Sequence, residues 1–227
     1  IVVGPALGKL FSIVLMRRLD TWAEDAQLRA TTQFGFRQSQ GTDEGSFLLK
    51  HVIDSYRTLQ KPVYAAFVDL RKAYDSIDRE LLWKVLRSSG VQDWYLDTLR
   101  AMYSDVRLRV RLGGQQGDTF PSTRGVKQGD PLSPLLFGLF IDRLESFLEA
   151  RAPTLGVNIT GRLLRAILYA DDIVLLADSA QELQALLDVL EEFCRAAGMR
   201  PNPKKCEVVV YNDASWPAQV GRASVQW

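Results

Sequence analysis

Apolar residues recur at helical spacing along several stretches of the chain, and each stretch predicts an amphipathic helix. Polar residues in front of two of them offer N-caps, Thr42 or Asp43 in one case and Ser76 or Asp75 in the other. The predicted helices cover residues 6–30, 42–56, 77–89, 91–104, 135–148 and 180–197.

Short, largely apolar runs between these stretches predict strands. The runs are residues 63–68, 166–168, 173–176 and 207–211. Runs without polar alternation are typical of strands that are covered on both faces. The second and third runs flank two adjacent carboxylates, which is the pattern of a buried hairpin.

Those adjacent carboxylates are Asp171 and Asp172. Neighbouring side chains on a regular strand point to opposite faces, so both can serve one site only if they lie at a turn. Paired carboxylates among apolar residues are unfavourable unless a cation neutralises them, and a divalent metal ion would do so. The alternative is an ordinary solvated Asp-Asp turn.

Asp69 follows directly after the first predicted strand and comes before a helix. Active-site groups often lie at this position, although a strand-end cap is the alternative. For Asp75 and Asp78, at the start of the helix, we favour a structural role because acids there interact favourably with the helix dipole.

Residues 106–112 alternate strictly between apolar residues and arginine, which predicts a strand with Arg107, Arg109 and Arg111 on one face. Three arginines on one strand face suit the phosphate backbone of a nucleic acid. The alternative is an edge strand whose charges prevent association with other strands.

Two further segments suggest nucleotide binding. Glycines, including Gly129, frame Gln128 in a loop that leads into a helix and would allow close approach of a nucleotide. A capped helix start is the alternative. Arg37, in a Gly-containing loop, and Lys9 are candidates for clamping a triphosphate. Ordinary surface charge is the alternative for both.

Composition narrows the classes of function. The chain has 227 residues, 47% of them apolar, a net charge of +1, two cysteines and one histidine, His51. These numbers fit no disulfide framework, no zinc framework and no His-ligated metal site. The apolar start is broken by glycine, proline and lysine, so it predicts neither a signal peptide nor a membrane span. Because there is no initiator methionine, we expect a piece of a longer polypeptide.

Five segments, in order along the chain, resemble the reverse transcriptases of non-LTR (LINE-type) retrotransposons. They read GFRQSQGTDE, FVDLRKAYDSIDRELLW, GVKQGDPLSPLLF, YADDIVLLA and GMRPNPKKCEVVV. The resemblance implies an α+β fold of right-hand polymerase type, with an antiparallel palm sheet packed on helices and the thumb missing. It implies incomplete fingers over residues 1–61, a palm over 62–212 with a fingers-side segment at about 104–130, and the start of a connection towards the thumb over 213–227.

The resemblance also implies a catalytic set. Asp69, Asp171 and Asp172 would bind two Mg²⁺ ions, with Mn²⁺ as an alternative ion. Lys205 would neutralise or protonate the leaving pyrophosphate, and Lys204 is its competitor for that role.

Substrate contacts follow from the same resemblance. Tyr74 would exclude a ribose 2′-hydroxyl, Gln128 and Gly129 would lie against the incoming nucleotide, and Arg37 and less directly Lys9 would hold its triphosphate. Two positions depart from the family pattern: Cys206 replaces Thr, and Tyr74 replaces the Phe common in the LINE branch.

The implied function is RNA-templated DNA synthesis, with an RNA template, a DNA primer and dNTPs as partners, no membrane, and a nuclear or cytoplasmic location. A catalytically inactive, nucleic-acid-binding palm is the first alternative. A receiver-like phospho-acceptor domain is a weaker one, because there the acidic pair comes early in a short α/β chain.

Overall fold

A four-stranded antiparallel sheet with helices on both faces forms the centre of the molecule. The computed structural model describes residues 4–212, so residues 213–227, expected to lead towards a thumb, lie outside the described residues. The helices are α1 (Ala6–Asp25), α2 (Thr42–Thr58), α3 (Ala73–Ser76), α4 (Arg79–Ser88), α5 (Asp93–Tyr103), α6 (Ser133–Ile141), α7 (Arg143–Arg151) and α8 (Ala180–Ala197). The strands are β1 (Val63–Asp69), β2 (Arg107–Leu112), β3 (Gln115–Pro121), β4 (Val157–Ile159), β5 (Arg162–Leu164), β6 (Ala166–Tyr169), β7 (Asp172–Ala177) and β8 (Glu207–Tyr211).

The central sheet has the strand order β6-β7-β1-β8, and every neighbouring pair is antiparallel. Alternate residues of its strands enter two different cores. Ala66 and Leu175 belong to the larger core, which α4 to α8 complete, whereas Ala65 and Leu176 face the smaller core under α2. Coverage of both faces explains why these strands are uninterrupted apolar runs.

The helix boundaries correct several predictions. The first helix ends at Asp25, not near residue 30. The second is capped by Gly41, whose N–H donates to Glu44, so Thr42 and Asp43 are its first helical residues. The cap of α4 is Asp78, which accepts from Leu81 N at 3.0 Å; Ser76 and Asp75 were the wrong candidates.

The helix predicted over 135–148 is interrupted at Asp142, which separates α6 from α7. Asp142 is buried and accepts a hydrogen bond from Arg29 Nε at 2.7 Å. A buried carboxylate needs such a partner, so the interruption coincides with an ion pair that joins this helix to the segment after α1.

Two hairpins lie outside the central sheet. Strands β2 and β3 pair only with each other, as do β4 and β5. Sequence patterns predicted β2 but not β3, β4 or β5. No helix in residues 4–212 is both long and apolar enough to cross a lipid bilayer.

Candidate active site

Asp69 and Asp172 meet across two neighbouring strands. Asp69 is the last residue of β1, and its register partner is Asp172, the first residue of β7. Directly opposed residues in antiparallel strands have Cβ atoms about 4.5–5.5 Å apart on the same face. Two carboxylates that are distant in sequence therefore project together from one end of the sheet.

Asp171 lies in the turn between β6 and β7. Tyr169 is paired with Asp172, so the turn consists of Ala170 and Asp171. The expectation of a turn is confirmed for Asp171, whereas Asp172 belongs to the strand. Asp171 and Asp69 line the same cavity of about 520 Å³, which also contains Tyr74 and Gln128.

The electrostatics of this end of the sheet favour a positive ligand. Burial raises the pKa of the Asp171 carboxyl, and the carboxylates of Asp172 and Asp69 raise it further. The ammonium group of Lys205 acts in the opposite direction. A cation placed among these carboxylates would relieve the repulsion that their ionised forms experience.

The turn before β8 holds Asp69. Asn202 donates from Nδ2 to Asp69 Oδ2 at 3.1 Å, and its backbone N–H donates to Asp69 O at 2.8 Å. Lys205 Nζ donates to Asp69 Oδ1 at 3.4 Å. Of the two competing lysines, Lys205 is therefore the one whose ammonium pairs with Asp69.

The Gln128 loop lies directly on the Tyr74 segment. Val126 N donates to Tyr74 O at 2.9 Å, and a Cβ on Gly125 would stand 2.6 Å from the same carbonyl oxygen. The Tyr74 ring stacks on Phe137 with centroids 4.6 Å apart. Gln128 Nε2 donates to Asp75 Oδ1 at 3.1 Å, a contact between the loop and α3 that the sequence did not predict.

Tyr74 and Gly129 also have distinctive local environments. Burial raises the pKa of the Tyr74 hydroxyl, and Asp171 raises it further. Within the described part of the chain, that hydroxyl is buried without a hydrogen-bond partner. Gly129 has φ +94°, a conformation that favours glycine.

Arg37 and Lys9 lie outside the carboxylate cavity. The Arg37 guanidinium forms two hydrogen bonds with Glu24, at 2.8 and 2.7 Å, and lowers the pKa of that carboxyl. Lys9 lines a separate cavity of about 250 Å³ beside Gly129 and Asp130.

The three strand arginines form an exposed surface. Arg107, Arg109 and Arg111 all lie on β2, away from the carboxylate cavity, and are exposed. The opposite side of the strand is also uncovered, because Val110 is 62% and Leu112 81% exposed. An extra residue on β3 shifts the register between Arg109 and Arg111 without disturbing the alternation of β2.

Sequence reasoning did not assign a site role to several side chains that contact or line the site, among them Arg71, Lys72, Asn202 and Gln33. Arg71 and Lys72 line the carboxylate cavity and follow the strand-end Asp69, which was the available signal. No sequence pattern singles out Gln33, because it is a polar residue in a segment that was interpreted as a loop. Its contact with the Asp171 turn is described below.

The residues fit a hard divalent cation by their chemistry. Carboxylate oxygens are the preferred protein ligands of Mg²⁺ and Mn²⁺. In residues 4–212, however, no three His, Cys, Asp or Glu side chains are drawn together closely enough to hold a metal ion. Asp69 Oδ1 accepts from Lys205, so this oxygen would have to exchange partners to bind a metal ion.

Solved structures of low sequence identity share this fold. A telomerase from Candida tropicalis, truncated from its C-terminal domain, aligns with a TM-score of 0.68 and 14% identity over 90% of this chain and 42% of that one. A C. tropicalis telomerase with a fragment of telomeric RNA aligns with a TM-score of 0.67 and 12% identity over 87% of this chain and 33% of that one. The α+β fold, with an antiparallel polymerase palm sheet packed on helices, is thereby confirmed.

Sequence comparison identifies the family. A Pol polyprotein from the R2DM element of Drosophila melanogaster is 32% identical over 78% of this chain and 16% of its own length. The Pol polyprotein of an R2 element of Popillia japonica is 32% identical over 90% of this chain and 28% of its own length. The chain thus spans less than a third of the length of these two relatives. Residues 2–224 match the reverse transcriptase (RNA-dependent DNA polymerase) family, so the chain belongs to that family as a reverse transcriptase domain of the non-LTR retrotransposon type.

Proposed function

We propose that this chain is the catalytic part of an RNA-directed DNA polymerase, which transfers nucleotides from dNTPs to a primer 3′-hydroxyl. The observation that carries the proposal is the pairing of Asp69 with Asp172, with Asp171 on the adjacent turn at the same cavity. Membership of the reverse transcriptase family supports the same reaction.

Asp69, Asp171 and Asp172 would hold two Mg²⁺ ions, or Mn²⁺. When bound, such ions activate the attacking hydroxyl and stabilise charge on the leaving pyrophosphate. Lys205 is positioned to neutralise or protonate the pyrophosphate once it releases Asp69. This chain would therefore supply both the carboxylate ligands and a nearby ammonium group.

The other cavity residues would orient the nucleotide. The Tyr74 ring, fixed by Phe137, would obstruct a ribose 2′-hydroxyl and favour dNTPs. Gln128 and Gly129 would allow close approach of the base and sugar.

Several cations are candidates for the triphosphate. Arg71 and Lys72 line the carboxylate cavity and would contact a triphosphate bound there. Arg37 remains a proposed triphosphate ligand, but it would have to exchange Glu24 for the phosphates. Lys9 remains a proposed ligand from the side of Gly129.

The proposed macromolecular partners are an RNA template and a DNA primer. The related jockey protein of Drosophila melanogaster is named an RNA-directed DNA polymerase, and one similar telomerase structure contains telomeric RNA. We assign contacts with the phosphate backbone to Arg107, Arg109 and Arg111, which are exposed on β2.

Primer extension by the full-length protein tests the proposal. Asp171→Asn is expected to reduce Mg²⁺-dependent extension on an RNA template below detection, because it removes one carboxylate ligand. Asp188→Asn, on the exposed side of α8, is the matched control and should extend at the wild-type rate. Extension by Asp171→Asn at the wild-type rate would contradict the proposal.

A catalytically inactive, nucleic-acid-binding palm is the second candidate. The observation on its side is that both carboxylate oxygens of Asp69 already accept hydrogen bonds, from Asn202 and Lys205. Calorimetric titration separates the two candidates. Binding of an RNA–primer duplex without measurable Mg²⁺ or Mn²⁺ affinity would support the inactive palm.

A further inference from the structure

Gln33 is the most deeply buried polar side chain in the described part of the chain, with no exposed surface. It lies beside the turn that carries Asp171. Its Oε1 accepts one hydrogen bond from Ala170 N at 2.9 Å and a second from Gly35 N at 2.8 Å. A carbonyl oxygen has two lone pairs, so this atom is fully used.

The orientation of the Gln33 amide agrees with its surroundings. Both neighbours of Oε1 are N–H donors, which requires the oxygen at that end. The Nε2 end is buried on the side of Asp142, close enough to affect that carboxyl but, within residues 4–212, not in hydrogen-bonding geometry with any acceptor. Burial raises the pKa of Asp142, while Arg29 and, more weakly, the Gln33 amide lower it.

Ala170 has a backbone conformation that needs support. Its φ is +55°, in the left-handed region that L residues other than glycine rarely adopt. It is 5% exposed, so water cannot readily satisfy its N–H. The Gln33 oxygen is the acceptor that holds this N–H, and Asp171 is the next residue.

The segment that carries Gln33 is itself fixed against β6. Leu168 N donates to Thr32 O, and Phe34 N donates to Leu168 O, both at 2.9 Å. A Cβ placed on Gly35 would lie 2.3 Å from Ala170 N, so the two backbones are in direct contact. The hairpin turn therefore rests on a rigid support with Gln33 at its centre.

We propose that Gln33 is a positioning residue for polymerisation: through Ala170 it fixes the turn so that Asp171 enters the cavity shared with Asp69. The proposal rests on the proposed function of that cavity. Gln33 does not line the cavity and is proposed to act on Asp171 only through the backbone of the turn.

Single-nucleotide incorporation by the full-length protein tests the role. Gln33→Met conserves the length of the side chain and removes its hydrogen bonds. We expect kcat to fall at least tenfold while the KM for dNTP changes less than threefold, because the change displaces Asp171 and not the nucleotide. A kcat within twofold of wild type would overturn the proposal.

A double-mutant cycle separates positioning from general support of the fold. Glycine adopts positive φ freely, so with Ala170→Gly the turn should depend less on the hydrogen bond to Gln33 for its conformation. In the Ala170→Gly background, the decrease in kcat caused by Gln33→Met should be about threefold or less. An equal loss in both backgrounds would show that Gln33 does not act through Ala170.

Amide hydrogen exchange provides a readout that does not depend on activity. In Gln33→Met, the Ala170 amide should exchange at least tenfold faster than in wild type, while the amides of β8 keep their wild-type rates. Unchanged Ala170 exchange would overturn the proposal. Wild-type protein that shows this protection but extends no primer would instead refute the proposed function alone.

Gln33→Glu covers the case in which Gln33→Met does not fold. It retains oxygen acceptors for Ala170 and Gly35 but places a second carboxylate beside Asp142. We expect lower thermal stability with wild-type protection at Ala170. Loss of that protection in a folded Gln33→Glu protein would count against the proposal.

Discussion

The β6–β7 and β2–β3 hairpins have opposite sequence patterns and opposite environments. The strands of the first are apolar runs, whereas β2 alternates arginine with apolar residues and β3 is mostly polar. The first is buried on both faces by two cores, and residues 32–34 cover its outer edge. The second pairs only with itself and is almost entirely exposed. In this chain the hairpin with uninterrupted apolar strands contributes to the core, and the hairpin with alternating or polar strands does not.

The difference has a functional meaning. In the buried hairpin, the turn that carries Asp171 is held by the hydrogen bond from Ala170 N to Gln33 and by its contact with Gly35. The arginines of the exposed hairpin present a charged surface, on which Arg107 and Arg109 contact the exposed side chains of Asp105 and Gln116. The buried hairpin suits chemistry that requires fixed distances, and the exposed one suits contact with a flexible polyanion.

The largest effect expected from this contrast concerns two leucines. Leu168 is fully buried in β6, whereas Leu112 in β2 is 81% exposed. Leu168→Ala should lower the free energy of unfolding by about 2–5 kcal/mol. Leu112→Ala should change it by less than about 0.5 kcal/mol. Urea denaturation measures both values, and equal values would remove the distinction between the hairpins.

Two glycines give the next largest effect. Gly35→Ala would bring a Cβ within 2.3 Å of Ala170 N, so the supporting segment or the turn must move. We expect about 1–3 kcal/mol of destabilisation and a loss of primer extension of at least tenfold. The control is Gly117→Ala in β3, where the new Cβ would be 3.7 Å from its nearest neighbour. Wild-type activity of Gly35→Ala would mean that the turn is not held as described.

The role of the exposed hairpin can be tested through the salt dependence of nucleic-acid binding. Arg109→Ala should leave the free energy of unfolding within about 0.5 kcal/mol of wild type. If Arg109 contacts one phosphate, the slope of log K against log salt for an RNA–primer duplex should fall by about 0.9. Arg195→Ala, on the exposed side of α8, is the control. An unchanged slope for Arg109→Ala would exclude that contact.

The smallest effect is a dependence of stability on pH. Because burial and neighbouring carboxylates raise the folded-state pKa of Asp171, folding favours its protonated form, and ionisation at neutral pH destabilises the fold. In EDTA, Asp171→Asn should therefore be more stable than wild type at pH 7. The difference should vanish below the ordinary aspartate pKa of about 3.9. Urea denaturation at both pH values checks this, and a less stable variant at pH 7 would contradict the assigned environment.

Local patterns predicted the long helices and the sheet strands well, because burial there follows regular spacing. They did not predict β3, since residues 115–121 lack apolar alternation. They also missed the interruption at Asp142, which depends on Arg29 from a distant segment. The predicted caps of α4 were Ser76 and Asp75 instead of Asp78, because several adjacent polar residues are each able to cap a helix.

The candidate site was predictable only in part. Resemblance to a family indicated that Asp69 and the Asp171 turn act together, but no periodicity relates residues so far apart. Gln33 escaped notice because its burial is produced by tertiary contacts, including those of Thr31 and Thr32 with Glu145. The pairing of Arg37 with Glu24 was hidden for the same reason.

The position of β1 between β7 and β8 has a consequence for biosynthesis. A ribosome releases β1 long before either of the strands that flank it. Until β7 emerges, β1 is an apolar strand with two unpaired edges, which is a state prone to aggregation, and one edge stays unpaired until β8 emerges. Closing such long loops also slows folding. We therefore expect chains truncated before residue 166, which lack β6, β7 and β8, to require chaperones to remain in solution, and to carry Asp69 without its partner Asp172.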